Sequence, residues 1–99
     1  MSITASSAPV VTRNDDRQRY ELRLGDELLS FADFSEVPGA IVVPHVETVL
    51  HQRENGYSSM LMAGVVDDLT ARSLKIVPHC RVARSYVQSL PNAAELIAG

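Results

Sequence analysis

A mixed α/β (α+β) domain is predicted, with a twisted, mostly antiparallel sheet, two main helices and a short C-terminal helix. Three features of the sequence predict it. Tyr20, Leu22 and Leu24 alternate with Glu21 and Arg23, the period of a half-buried strand. A run rich in β-branched residues, 40–43, follows the Pro38-Gly39 turn signal. After Gly56 the apolar period changes from two to about 3.6.

Composition bounds the class. Ninety-nine residues fit one domain. Apolar types at 45% and charged types at 21% are ordinary globular values and argue against disorder, collagen and a heptad rod. The net charge is −3 with no basic block, so the electrostatic footprint of nucleic-acid binding is absent. The single cysteine, Cys80, cannot form an internal disulfide, as in a reducing compartment. No apolar run approaches the roughly 20 residues of a membrane span. The first eleven residues lack the positive charge of a secretory leader. A cytoplasmic protein is the expectation.

Residues 1–17 are polar and lack aromatics or a sustained period, so a flexible tail is expected there and the domain over 18–99. Residues 20–24 form the first strand. Gly25-Asp26 turns the chain, and a second strand from Leu28 to about Phe34 completes a hairpin. The third strand runs from Ala40 past Pro44 to about Val46. Pro44 donates no ladder hydrogen bond, so a kink, bulge or splay is expected there.

Met60, Leu61, Gly64, Val65, Leu69 and Arg72 then fall at helical spacings, with Asp67 and Asp68 towards the other side. Gly64 costs about 1 kcal/mol relative to Ala in a helix, so a close approach is expected at it. Residues 74–77 read as a short buried strand. Residues 80–90 read as a second helix with an apolar stripe of Val82, Ala83, Tyr86, Val87 and Leu90. Residues 93–98 read as a last turn or two of helix. A long helix between the third and fourth strands implies a parallel crossover.

Two segments carry a resemblance. The first is His45-Val46-Glu47 followed by Arg53-Glu54-Asn55-Gly56-Tyr57-Ser58. The second is Leu74-Lys75-Ile76-Val77-Pro78-His79-Cys80, with Tyr86 and Pro91 after it. In this order they resemble the small, single-domain GNAT-like N-acetyltransferases over about residues 19–97. That group carries H-T-E on a strand, then R-G-x-G-x-A at a helix start, then K-V-V-P-x-C. Three positions depart from its pattern: Glu54 stands where it usually has Gly, Ser58 where it has a small residue, and Arg81 where it has Pro. The resemblance implies acetyl-CoA as cofactor and an amine as acceptor. It also implies that the third and fourth strands splay apart.

The residues suit that chemistry. A helix start offers unpaired N–H groups and a positive dipole end to the pyrophosphate of coenzyme A. The candidate cradle is Arg53, Glu54, Asn55, Gly56, Tyr57, Ser58 and Ser59, with a charge from Arg53 and hydroxyls from the serines. Glu54 sets a carboxylate near phosphate unless it points outward. Transfer to an amine needs a general base, and Glu47 at the end of the third strand is the first candidate. His45, two residues earlier, shares its strand face and suits proton transfer near pH 7.

Cys80 at a helix start is a candidate nucleophile, although most free cysteines are small buried apolar residues. Tyr86 is a candidate proton donor to the leaving thiolate, or core packing with its hydroxyl at the rim. Arg81 and Arg84 are expected on a solvated face. Beside larger members of the family it resembles, the chain lacks the helical segment between the first two strands, so an acceptor pocket that is open, incomplete or supplied by a partner is expected. Two other readings stand beside the enzyme: a non-catalytic acyl-CoA-binding or regulatory module, and an interaction domain that has lost the cofactor site.

Overall fold

A computed structural model describes residues 8–49 and 56–98. The chain runs β1 (Val10–Asn14), β2 (Arg19–Leu24), β3 (Glu27–Val37), β4 (Ala40–Thr48), α1 (Tyr57–Ala71), β5 (Lys75–Pro78), α2 (Arg81–Gln88) and α3 (Ala93–Leu96). The five strands form one sheet in the order β1-β2-β3-β4-β5. The first four pair antiparallel, and β4 pairs parallel with β5 across the α1 crossover. Among the described residues no helix is long and apolar enough to cross a membrane.

β1 corrects the expected tail. Val10–Asn14 pairs in register with Arg19 to Arg23, so ordered structure starts well before residue 18. Its valines stand side by side without alternation and among polar neighbours, which hid it, because the core takes only Val11 of the two. Val11 packs against the core cluster, and Arg13 lies over the rings of Tyr20 and Phe34. Gly64 of α1 explains the fit. A Cβ built there would lie 2.5 Å from Cβ and Cγ2 of Val11. The close approach expected at Gly64 is therefore to β1.

Gly64→Ala gains about 1 kcal/mol of helix propensity but forces an overlap costing about 1–3 kcal/mol. The expected result in urea unfolding is a net loss of roughly 1 kcal/mol. Val11→Gly should abolish that loss, since the two substitutions share one contact. An additive double variant would disprove the explanation.

One cluster of apolar side chains joins sheet and helices. Tyr20, Leu22, Ile41, Val43 and Ile76 of the sheet meet Leu61, Met62, Val65 and Leu69 of α1 and Ala83 and Val87 of α2. Two details differ from the helical stripe read in the sequence. Met60 is exposed while Met62 is fully buried. Asp68 turns towards the sheet and accepts the Tyr20 hydroxyl at 2.5 Å, pinning α1 to β2. The last predicted turn is also shorter: α3 ends at Leu96, and Ile97 bridges to Ile76 beside β5.

Pro44 acts as its chemistry requires. Between the pairs Asp33↔His45 and Ser35↔Val42 the register shifts, placing Val43 and Pro44 opposite Phe34 alone. The parallel pairing with β5 stops at Val43↔Pro78. Val43 O accepts the N–H groups of His79 (3.1 Å) and Cys80 (3.2 Å), and the chain then turns into α2. All four residues of β5 are paired, so the two strands do not splay as expected; β4 outlasts β5 and runs on from His45 without it.

Candidate functional site

The free stretch of β4 places side chains on both faces of the sheet. Val46 faces the core with Ala32 and Tyr20, its cross-strand neighbours. His45 and Glu47 alternate with it and face the other way. Two cross-strand rows cover that open face: Arg19, Asp33 and His45 in one, Glu21, Phe31 and Glu47 in the next. His45 Nε2 and Glu47 Oε1 are 2.9 Å apart, and both side chains are about half exposed (52% and 55%). The Phe31 ring meets the imidazole edge-on at 6.1 Å between centroids.

A cleft of about 580 Å³ opens beside this stretch. His45, Val46, Glu47 and Thr48 line it from β4, Ser58 from α1 and Val82 from α2. Consecutive residues of β4 border the same space because no strand pairs with that edge there. A second lobe of about 410 Å³ adjoins it, sharing Ser58 and Val82. Ser59, Arg81, Ser85 and Tyr86 complete most of its wall, with Ser89 at the far end.

The first turn of α1 borders both lobes through Ser58. Gly56 caps that helix with φ +71°, a left-handed conformation that favours glycine, and no side chain caps it. The first N–H groups of α1 thus have no side-chain partner at the cap.

The expected residues divide accordingly. The structure gathers His45, Glu47 and Ser58 around one lobe, and Ser58, Ser59 and Tyr86 around the other. Tyr57 is half-buried against the core. Arg53, Glu54 and Asn55 lie outside the described residues. Cys80 is the N-cap of α2, half-buried against the core cluster, and lines neither lobe.

Three residues of α2 join the site from a face that the sequence reads otherwise. Arg81, expected in plain solvent, and Val82, expected in the apolar stripe, both border the cleft, as does Ser85. Arg84, by contrast, is exposed and donates to His79 O at 3.0 Å. The helical period does not separate a solvent-facing wall from a cleft-facing one, because both are polar.

Residues 19–96 match the family model described as GCN5-related N-acetyl-transferase. No curated protein matches the chain.

Proposed function

The chain belongs to the GCN5-related N-acetyltransferase family, and from that premise we propose that it transfers the acetyl group of acetyl-CoA to an amine. The observation that carries this reading is the His45–Glu47 pair on the stretch of β4 that β5 leaves free. Acid–base groups there stand beside a cleft that also reaches the first turn of α1.

The residues fit the cofactor. Among the described residues, the lobe between α1 and α2 is lined by serine hydroxyls and a guanidinium and by no carboxylate, which suits a phosphate-bearing ligand. Ser58, Ser59 and the N–H groups of the first turn of α1 would hold phosphate oxygens. Val82 and the unpaired edge of β4 would flank the pantetheine arm, which pairs with such an edge as an added strand does. When bound, acetyl-CoA supplies a thioester carbonyl open to attack by an amine.

The chain's own groups then handle protons. With Glu47 ionised, the imidazole carries its proton on Nε2 and donates it to Oε1, leaving Nδ1 as the acceptor. That nitrogen removes the proton the amine must lose. Tyr86, in the adjoining lobe, holds a phenolic proton for the departing sulfur. Cys80 lines neither lobe, so no step runs through its thiol. The amine reaches the pair from the open face, where the short connections 15–18 between β1 and β2 and Gly25-Asp26 between β2 and β3 carry no helix.

The test is release of free CoA from acetyl-CoA in the presence of a panel of primary amines, followed by mass spectrometry of the amines. Amine-dependent release with a mass gain of one acetyl group is expected. Saturable CoA binding with no turnover on any amine would favour the binding module instead.

A further inference from the structure

The lobe between α1 and α2 is unusual for where its donors end. Arg13, Arg19, Arg23 and Arg72 each pair with a carboxylate, and Arg84 donates to a carbonyl. Arg81 borders the lobe and has no acceptor among the described residues. The hydroxyls of Ser58, Ser59 and Ser85 likewise have none, whereas Ser89 spends its proton on Tyr86 O at 2.6 Å. Among the described residues, three hydroxyls and one guanidinium without acceptors thus converge on about 410 Å³, and no acidic side chain lines it.

The two halves of this donor set come from different helices. Ser58 and Ser59 stand on α1; Arg81 and Ser85 stand one turn apart on α2. Val82, next to Arg81, also borders the lobe that holds His45 and Glu47. Arg81 is therefore at the junction end of the lobe, close to the first turn of α1, and Ser89 is at the far end.

We propose that Arg81 is the α2 side of a diphosphate site, pairing with the same diphosphate whose other side Ser58 and Ser59 hold. The proposal rests on the reading that the cleft takes an acyl-CoA. It goes further in assigning the charge to α2 and to the diphosphate, as distinct from the 3′-phosphate that coenzyme A also carries. A guanidinium suits this task because its planar donor fork meets two oxygens at once.

The experiment is calorimetric titration of the full chain and of Arg81→Ala and Arg81→Lys with three ligands: CoA, dephospho-CoA and pantetheine. Dephospho-CoA keeps the diphosphate and lacks the 3′-phosphate; pantetheine lacks both. Loss of a hydrogen bond to a charged group corresponds to roughly tenfold to a hundredfold in affinity. Arg81→Ala should weaken CoA and dephospho-CoA by that same factor and leave pantetheine, read by competition, unchanged. Arg81→Lys should recover part of the loss.

A loss confined to CoA would overturn the proposal, since Arg81 would then read the 3′-phosphate. Equal affinity of the wild type and Arg81→Ala for CoA would overturn it too, while leaving the acyl-CoA reading intact. No binding of CoA to the wild type would overturn both. Arg81 is exposed and makes no polar contact among the described residues, so Arg81→Ala should melt like the wild type and the affinities compare folded proteins.

Discussion

Glu47→Gln should lower the rate of acetyl transfer by roughly a hundredfold to a thousandfold, the range typical of losing a positioned general base or its partner. The affinity for CoA should change little, because Glu47 shares its lobe with Ser58 but not with Ser59, Arg81 or Ser85. The amide keeps the shape of the carboxylate but not its charge, so the imidazole of His45 loses the partner that fixes its tautomer and orientation. His45→Ala should cost as much, and the double variant little more, since the two residues act as a unit.

Both side chains are half exposed, so neither substitution should shift the urea midpoint appreciably. The decisive measurement is kcat against KM for CoA release, with the midpoint as control. A full rate in Glu47→Gln would remove the pair from the mechanism.

Glu21→Ala is expected to destabilise the fold by about 2–4 kcal/mol. Only 4% of the Glu21 side chain is exposed, and it is held by three neighbours. Arg19 Nε donates to it at 2.7 Å, Arg23 Nε at 2.9 Å and Asn14 Nδ2 at 3.3 Å. Removing the carboxylate strands two guanidinium groups. Their side chains are 17% and 37% exposed, so water reaches them and the cost stays below that of a fully buried unpaired charge. Glu21→Gln keeps the volume and some hydrogen bonds and should cost less. Urea unfolding at neutral pH measures both, and a change under 0.5 kcal/mol for Glu21→Ala would contradict the account.

The same groups set the pH limits of stability. Burial tends to raise the Glu21 carboxyl, but hydrogen bonds from Arg23 and Arg19 outweigh it and hold the group below its ordinary 4.5. Asp68 is likewise lowered below 3.8, burial being outweighed by the Tyr20 hydroxyl and Arg72. A lowered carboxyl binds fewer protons folded than unfolded, so its contribution is complete above the ordinary value and fades as pH falls through the folded one. Burial and the Asp68 carboxylate push Tyr20 the other way, up to about 12 against the opposing effect of Arg13. Its contribution is complete below pH 10 and is lost as pH rises towards 12. Stability should therefore be level from about pH 5 to 10 and fall on both sides, and Glu21→Gln should soften the acid fall.

The sequence by itself determined the elements whose signals are local. The hairpin at Gly25-Asp26, the bulge at Pro44, the helix opening after Gly56 and the parallel β4–β5 crossover follow from period and turn chemistry. The His45–Glu47 pairing follows from the two-residue alternation of a strand.

The tertiary structure decided what depends on partners far along the chain. β1 offers two adjacent valines but no apolar alternation, because an edge strand that packs through Val11 and Arg13 needs none; its place is fixed by pairing with β2 and by the gap Gly64 leaves. Asp68 turned inward because Tyr20, 48 residues away, offers it a hydroxyl. Arg81 belongs to the cleft, and Cys80 to the packing beside it, because the end of β4–β5 pairing at Val43 sets where α2 begins against α1. A helical period says which side of a helix is polar. Only the packing of α2 against its neighbours says whether that polar side meets open water or the wall of a site.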